Sequence, residues 1–207
     1  MGQLDVRAAD AEIKASNGYP VILVDCPWEF KVWSEKGNGR AAVKHYNTMT
    51  TDDLCALPVS EIAAPDCMLF MWATFPNLLD CLKVIEAWGF QYKSCAFVWV
   101  KNNKKSPGFH VGLGYYTRSN AELCLIATRG HPKRQSKSVR QIVMSPVERH
   151  SKKPDCIREQ IVELCGDVPR IELFARERAP GWDAMGNEID GKDIRDALKE
   201  VIAVWDG

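Results

Sequence analysis

Apolar and polar positions alternate along this chain in two periods, and the switches between them mark out the elements. Val21-Ile22-Leu23-Val24 is an unbroken apolar run after a Gly18-Tyr19-Pro20 turn, the pattern of a short buried strand. Thr50-Thr51-Asp52-Asp53 supplies N-cap chemistry for a helix through Leu54 and Leu57 that breaks at Pro58, and Val59 to Ala63 reads as a second short helix. Cys67 to Trp72 is again a buried strand. Pro76 opens a helix with Leu78, Leu79, Leu82, Ile85 and Trp88 at helical spacing, stopped by Gly89. Strands are expected at Ser94–Val100, Glu122–Thr128, Gln141–Met144 and Arg170–Ala175, and helices at Lys153–Leu164 and Asp193–Val204. Trp182 to Ile189 reads as loop, and Leu4 to Arg7 as a weak leading strand or turn. Strands alternating with helices predict a three-layer α/β domain around a mostly parallel sheet. No repeat or linker divides the chain, so residues 1–207 are expected to form a single domain.

Composition narrows the class. Hydrophobic residues make up 46%, enough for a sizeable core, and 27 basic residues balance 27 acidic ones, so bulk charge favours no partner. The distribution says more. From Arg129 to Lys153 eight cations stand against one acid, Glu148, a net charge of +7 that marks either a polyanion surface or a solvated loop. No apolar run is long enough to span a bilayer, and no signal-peptide pattern opens the chain. The eight cysteines are scattered without a Cys-x-x-Cys pair, so neither a metal site nor a disulfide framework is indicated. A reduced, cytoplasmic setting is expected.

The first strand runs into Asp25-Cys26-Pro27-Trp28. An acid at the carboxyl end of a buried strand is costly unless it has a task, and that end is where open α/β sheets bind ligands. Pro27 fixes one φ and so directs the carbonyl before it, while Trp28 offers a flat face. Acceptor, aimed carbonyl and stacking platform suit a planar base with an exocyclic amine. The plainer alternative is a strand exit in which Asp25 caps a turn and Trp28 plugs the core edge.

The chain resembles the adenine-N6 methyltransferase family of the MTA type, which includes the catalytic subunit of the eukaryotic messenger-RNA methylation complex and has bacterial and phage members. The signature Asp-Pro-Pro-Trp stands here as Asp25-Cys26-Pro27-Trp28, and the likeness continues through Tyr46-Asn47-Thr48-Met49, Leu69-Phe70-Met71-Trp72 and Val98-Trp99-Val100-Lys101. It goes on in Gly114 to Cys124, Ser151 to Asp155, Ile171 to Arg176 and Trp182 to Glu188, in the family's order. It implies a Rossmann-like three-layer fold in permuted order, the catalytic motif preceding the cofactor motif. It implies S-adenosyl-L-methionine as cofactor and the N6 amine of adenine in nucleic acid as target, DNA favoured over RNA. By the same resemblance Asp25, the Cys26 carbonyl, Pro27 and Trp28 are catalytic and Tyr46 stacks on the base. Cofactor contacts fall on Asp5, Val6, Asp25, Lys153, Phe174, Arg176, Arg178, Asn187 and Glu188. Lys153 would hold the methionine carboxylate, and Arg178 stands where the eukaryotic relative has histidine. Trp72, Trp99 and Trp182 are assigned to packing.

The departure from the family is Cys26 in place of proline. A nucleophilic Cys26 is discounted because the surrounding motifs are those of amine methylation. The backbone of the nucleic acid is assigned to Lys101, Lys104, Lys105, Lys133, Arg134, Lys137 and Arg140, on the argument that both basic segments follow strands and so reach the carboxyl edge beside Asp25. A cytosine-N4 or protein-amide methyltransferase and a non-catalytic partner subunit are the alternatives, the last opposed by the presence of Asp25, Lys153 and Asn187. No metal and no membrane partner are expected, and a monomer or homodimer.

Overall fold

A computed structural model of the chain describes residues 17–29, 48–114, 116–148 and 152–206. The elements are β1 (Tyr19–Val24), α1 (Thr51–Cys55), α2 (Val59–Ile62), β2 (Ala63–Ala73), α3 (Leu78–Ala87), β3 (Gln91–Asn102), β4 (Ala121–Arg129), β5 (Ile142–Pro146), α4 (Cys156–Cys165), β6 (Arg170–Leu173), β7 (Asp183–Met185), α5 (Asn187–Asp190) and α6 (Ile194–Asp206). The Thr50 hydroxyl accepts from the Asp53 amide, as the N-cap pattern predicts. The helix expected from Pro76 is preceded by a 3₁₀ turn at Phe75–Asn77, and Lys153 lies in the segment before α4 rather than within it. The stretch expected as loop after Trp182 holds β7 and α5: Ala184 pairs with Glu172, a three-residue strand too short to announce itself by alternation.

The seven strands form one mixed sheet in the order β5-β3-β4-β2-β1-β6-β7. β1 lies between two parallel partners, β2 and β6, with Ile22 opposite both Leu69 and Ile171. β3 pairs parallel with β5, and β6 with β7. β4 runs the other way, antiparallel to both β2 and β3. Strand alternation divides the buried residues into two clusters: Ile22 and Val24 join Leu69, Met71 and Trp88 on one side, Val21 and Leu23 join Phe70, Phe97 and Ile161 on the other. The Trp88 indole N–H, fully buried, donates to the Leu54 carbonyl at 2.8 Å and ties α3 to α1.

The reversal of β4 corrects one expectation. Arg129 at its carboxyl end lies opposite Cys67 near the start of β2, whereas Val24 lies opposite Met71. Four residues of strand separate those levels, about 13 Å. The segment after β4 is pinned to the amino edge: the Arg129 guanidinium donates to the Ser60 carbonyl, the His131 amide to Asp66, and the Gln135 amide to the Leu164 carbonyl at the end of α4. Gly130 turns with φ +63°, where a Cβ would come within 2.3 Å of the Pro65 carbonyl oxygen. Lys133, Arg134 and Lys137 therefore do not stand beside Asp25, and Arg140, level with Val24 by register, is removed from it by the width of the sheet between β5 and β1. A strand's carboxyl end marks the ligand edge only if that strand is parallel to the rest. No helix among the described residues is long and apolar enough to cross a membrane.

Candidate active site

Asp25 follows β1 directly, and its geometry is set by that strand's two flanking ladders. The next turn is braced twice. The Trp28 amide donates across Pro27 to the Cys26 carbonyl at 2.9 Å, and the Met49 amide donates to the Pro27 carbonyl at 2.9 Å. The Cys26 carbonyl thus keeps one lone pair for a further donor. Trp28 is only 5% exposed and joins the core, its indole N–H pointing at the Trp72 carbonyl at 3.4 Å. In this conformation it fills the core edge rather than standing as an open platform. Cys26 is buried as well, and burial holds its thiol well above the usual range, which leaves it protonated and unsuited to nucleophilic attack.

Lys153 reaches Asp25 from the segment before α4. Its ammonium donates to Asp25 Oδ2 at 2.7 Å and lies 3.4 Å from Glu122 Oε2, above the face of Trp72. Glu122, at the start of β4, also takes the ammonium of Lys101, which sits over the Trp99 ring. Four charged groups from four segments, two of each sign, close a network at the carboxyl edge. Burial raises the Asp25 carboxyl, and that effect outweighs the pull of Lys153. Burial would also raise Glu122, but the two lysines overcome it and hold Glu122 low. Burial opposes the Lys153 charge, yet Asp25 and Glu122 hold that ammonium above its ordinary value.

Sequence reasoning missed Glu122. Its signal was an acid two residues into an otherwise apolar strand, the same anomaly that singled out Asp25. Lys101, expected on the nucleic-acid backbone, is instead spent largely on Glu122.

The cleft over this network is lined by Leu23, Asp25, Trp72, Lys153, Ile157, Phe174 and Arg176, among others. Phe174 follows β6 directly with φ 58°, a left-handed value rare for a bulky residue, and sites where backbone strain persists tend to be functional ones. The Ala175 amide then donates to the Met185 carbonyl at 2.9 Å. A Cβ on Gly186 would meet the Ala175 carbonyl oxygen at 2.2 Å, so only glycine permits that approach. The approach brings α5 to the cleft wall, where Arg176 pairs with Glu188 at 2.8 Å. Asn187 precedes Glu188 on the same exposed turn. Arg178 is exposed and lies off the cleft lining. Asp5, Val6 and Tyr46 lie outside the described residues. Trp72, Trp99 and Trp182 are buried, as assigned, although Trp72 also floors the cleft.

A second ion pair was not foreseen. Arg158 of α4 forks onto Glu172 of β6, Nε to Oε2 at 2.7 Å and Nη2 to Oε1 at 3.2 Å, and closes the cleft below Lys153.

The Asp25–Glu122 proximity has a testable sign. Each carboxylate raises the other's affinity for a proton, and Glu122 also draws Lys153 away from Asp25. Glu122→Gln should therefore lower the proton affinity of Asp25. If activity needs the Asp25 carboxylate, the acid limb of the kcat/KM–pH profile, which reports the free enzyme, moves to lower pH. A limb that stays in place would remove Asp25 as the titrating group.

Comparison with known proteins shows the family. The family model MT-A70 matches residues 19–188. The chain is 34% identical over 193 residues to the Type II methyltransferase M.MunI of a Mycoplasma species, covering 85% of this chain and 80% of that protein. It is 28% identical to the Drosophila melanogaster N(6)-adenosine-methyltransferase MT-A70-like protein, over 91% of this chain and 29% of the relative. It is 26% identical to the human N(6)-adenosine-methyltransferase catalytic subunit METTL3, over 93% of this chain and 31% of the relative. The chain spans less than a third of those two eukaryotic proteins. A match that begins in β1, takes in the Asp25 turn and the Lys153 segment, and ends at Glu188 is most of the chain, which belongs to the MT-A70 family.

Proposed function

We propose that this protein transfers the methyl group of S-adenosyl-L-methionine to the N6 amine of adenine in nucleic acid, with DNA as the favoured substrate. The observation that carries the reading is the partly buried Asp25–Lys153 pair at the carboxyl edge of β1, facing a cleft walled by Phe174 and Arg176. The donor set fits the cofactor: a cation for its carboxylate, an apolar aromatic wall for its adenosine and a polar Arg176–Glu188 pair for its ribose. Lys153 would hold the methionine carboxylate, Phe174 would cover the adenosine, and Arg176, Asn187 and Glu188 would meet the ribose side. We further read the sheet as a three-layer Rossmann-like methyltransferase fold in permuted order, supported by the two buried clusters on its opposite sides and by the catalytic turn preceding Lys153 in the chain.

The bound cofactor supplies an activated methyl group on sulfur; the protein positions the reactants. An adenine amine is a weak nucleophile because its lone pair is delocalised into the ring. Asp25 and the free lone pair of the Cys26 carbonyl would accept its two hydrogens, which favours a pyramidal nitrogen with its lone pair directed along the transfer axis. Lys153 occupies only Oδ2 of Asp25, which leaves Oδ1 as an acceptor for the amine. In duplex DNA the target base must first leave the stack.

RNA is the second reading, favoured by the word adenosine in the names of the eukaryotic relatives. Nucleoside mass spectrometry of host DNA and RNA after expression tests both. N6-methyldeoxyadenosine above the background of an Asp25→Asn control is expected. N6-methyladenosine confined to RNA would select the second reading, and N4-methylcytosine or no modified nucleoside would overturn both.

A further inference from the structure

The four cations of the segment before β5 are not an ordinary solvated face. Lys133, Arg134, Lys137 and Arg140 are all exposed, and none pairs with an acid among the described residues. The acids that touch this segment are taken by its neutral groups: Glu163 accepts from Ser136 and Ser138, on either side of Lys137, and Asp66 from the His131 amide. Soluble surfaces usually intersperse the two signs, so a one-sign cluster is unusual in a chain of zero net charge.

Their place in the fold is specific. The segment passes the end of α4 and enters β5, the strand at one margin of the sheet. At the other end of β5, Pro146 lies opposite Asn102, and the loop after Asn102 carries Lys104 and Lys105, also exposed and without an acidic partner among the described residues. That loop is held by bonds from the Asn120 amide group to the Lys101 and His110 carbonyls, and it stands at the Asp25 edge because β3 runs parallel to β1. Through the sheet register Ile142 is level with Ala73 and Arg129 with Cys67, so the amino edge and the start of β5 are six residues of strand apart, roughly 20 Å.

We infer that these basic residues, from Lys104 and Lys105 past the end of β5, through Arg140, to Lys133, Arg134 and Lys137 beside the end of α4, form one track for the phosphate backbone of double-stranded nucleic acid. The inference rests on the nucleic-acid reading above and adds the path of the flanking duplex. A span of roughly 20 Å matches about six base pairs at 3.4 Å each. A duplex is stiff far beyond that length, so one end gripped near the catalytic edge presents the other at the amino edge without an ordering cost. Such contacts position the substrate and read no sequence. Lys101, held by Glu122, takes no part.

The test is binding of labelled nucleic acid, by fluorescence anisotropy over a series of salt concentrations. The probes are a duplex of about 20 base pairs and a single strand of the same length. The triple variant K133Q/R134Q/K137Q should bind the duplex at least tenfold more weakly and lower the slope of log K against log salt by about 2–3, at 0.9 per lost phosphate contact. The double variant K104Q/K105Q, past the end of β5, should also weaken the duplex and lower its slope. Thermal melting confirms that both variants fold. A wild-type slope in the triple variant overturns the track, and an equal loss on the single strand overturns the duplex assignment. Methyl transfer by the wild type is scored separately, so failure of the track and failure of the proposed reaction give different results.

Discussion

Asp25→Asn should lower kcat for methyl transfer by about 10²–10⁴-fold, the usual contribution of a positioned proton acceptor, while cofactor affinity stays within tenfold. The side chain keeps its volume, and Lys153 keeps Glu122 as a partner at 3.4 Å, so the cleft retains its shape. What is lost is the charge that accepts a hydrogen from the target amine. An amide can turn an oxygen toward that amine but cannot match the carboxylate as an acceptor. The measurement is single-turnover transfer from radiolabelled cofactor, with calorimetry for binding. A large fall in cofactor affinity with an unchanged rate of transfer would assign Asp25 to holding the cofactor.

Lys153→Met should act in the opposite way, weakening cofactor binding by about 1.5–3 kcal/mol, the range for a hydrogen bond to a charged group, or roughly ten- to hundredfold in Kd. The same substitution leaves Asp25 beside Glu122 with no cation between them, since Lys101 reaches only Glu122. Removing one partner of a buried pair costs about 3–5 kcal/mol, less here because the Asp25 side chain is 29% exposed. A lowered melting temperature that recovers at acidic pH is therefore expected. The sign follows from Asp25: burial already raises its carboxyl, and without Lys153 it binds a proton still more readily in the folded protein than in the unfolded one, so stability is gained as pH falls toward the carboxylate range. Equal Kd values for variant and wild type would take Lys153 out of the cofactor site.

Much of this arrangement was legible in the sequence. The Val21–Val24 run and the acid after it led directly to β1 and Asp25, because a buried strand is nearly all apolar and a charge at its end stands out. Lys153 came only through the family resemblance; by residue type it is one more lysine in a basic run. Glu122 was passed over because its partners lie in β3 and before α4, and pairing across a sheet leaves no local trace. The reversal of β4 did leave a trace. Parallel neighbours need a crossover connection, usually a helix, and no helical pattern stands between Val100 and Glu122. Its absence pointed to an antiparallel pair, and reading it would have placed Lys133 and Arg134 at the amino edge from the start. Phe174 was read as strand; its left-handed φ depends on the approach of Ala175 to Gly186, a contact between segments eleven residues apart.

β1 is bonded on both sides and buried along Val21–Val24. Amides in such a strand exchange with solvent only through near-global opening, the slowest class of motion in a folded chain. Asp25 is thus carried on a part of the protein that is static on the timescale of turnover, whereas Lys153 stands on a few residues without regular structure ahead of α4. Of the two backbones that carry the ion pair, only that of Lys153 can shift without disturbing the sheet. Any backbone contribution to parting the pair therefore comes from that short segment.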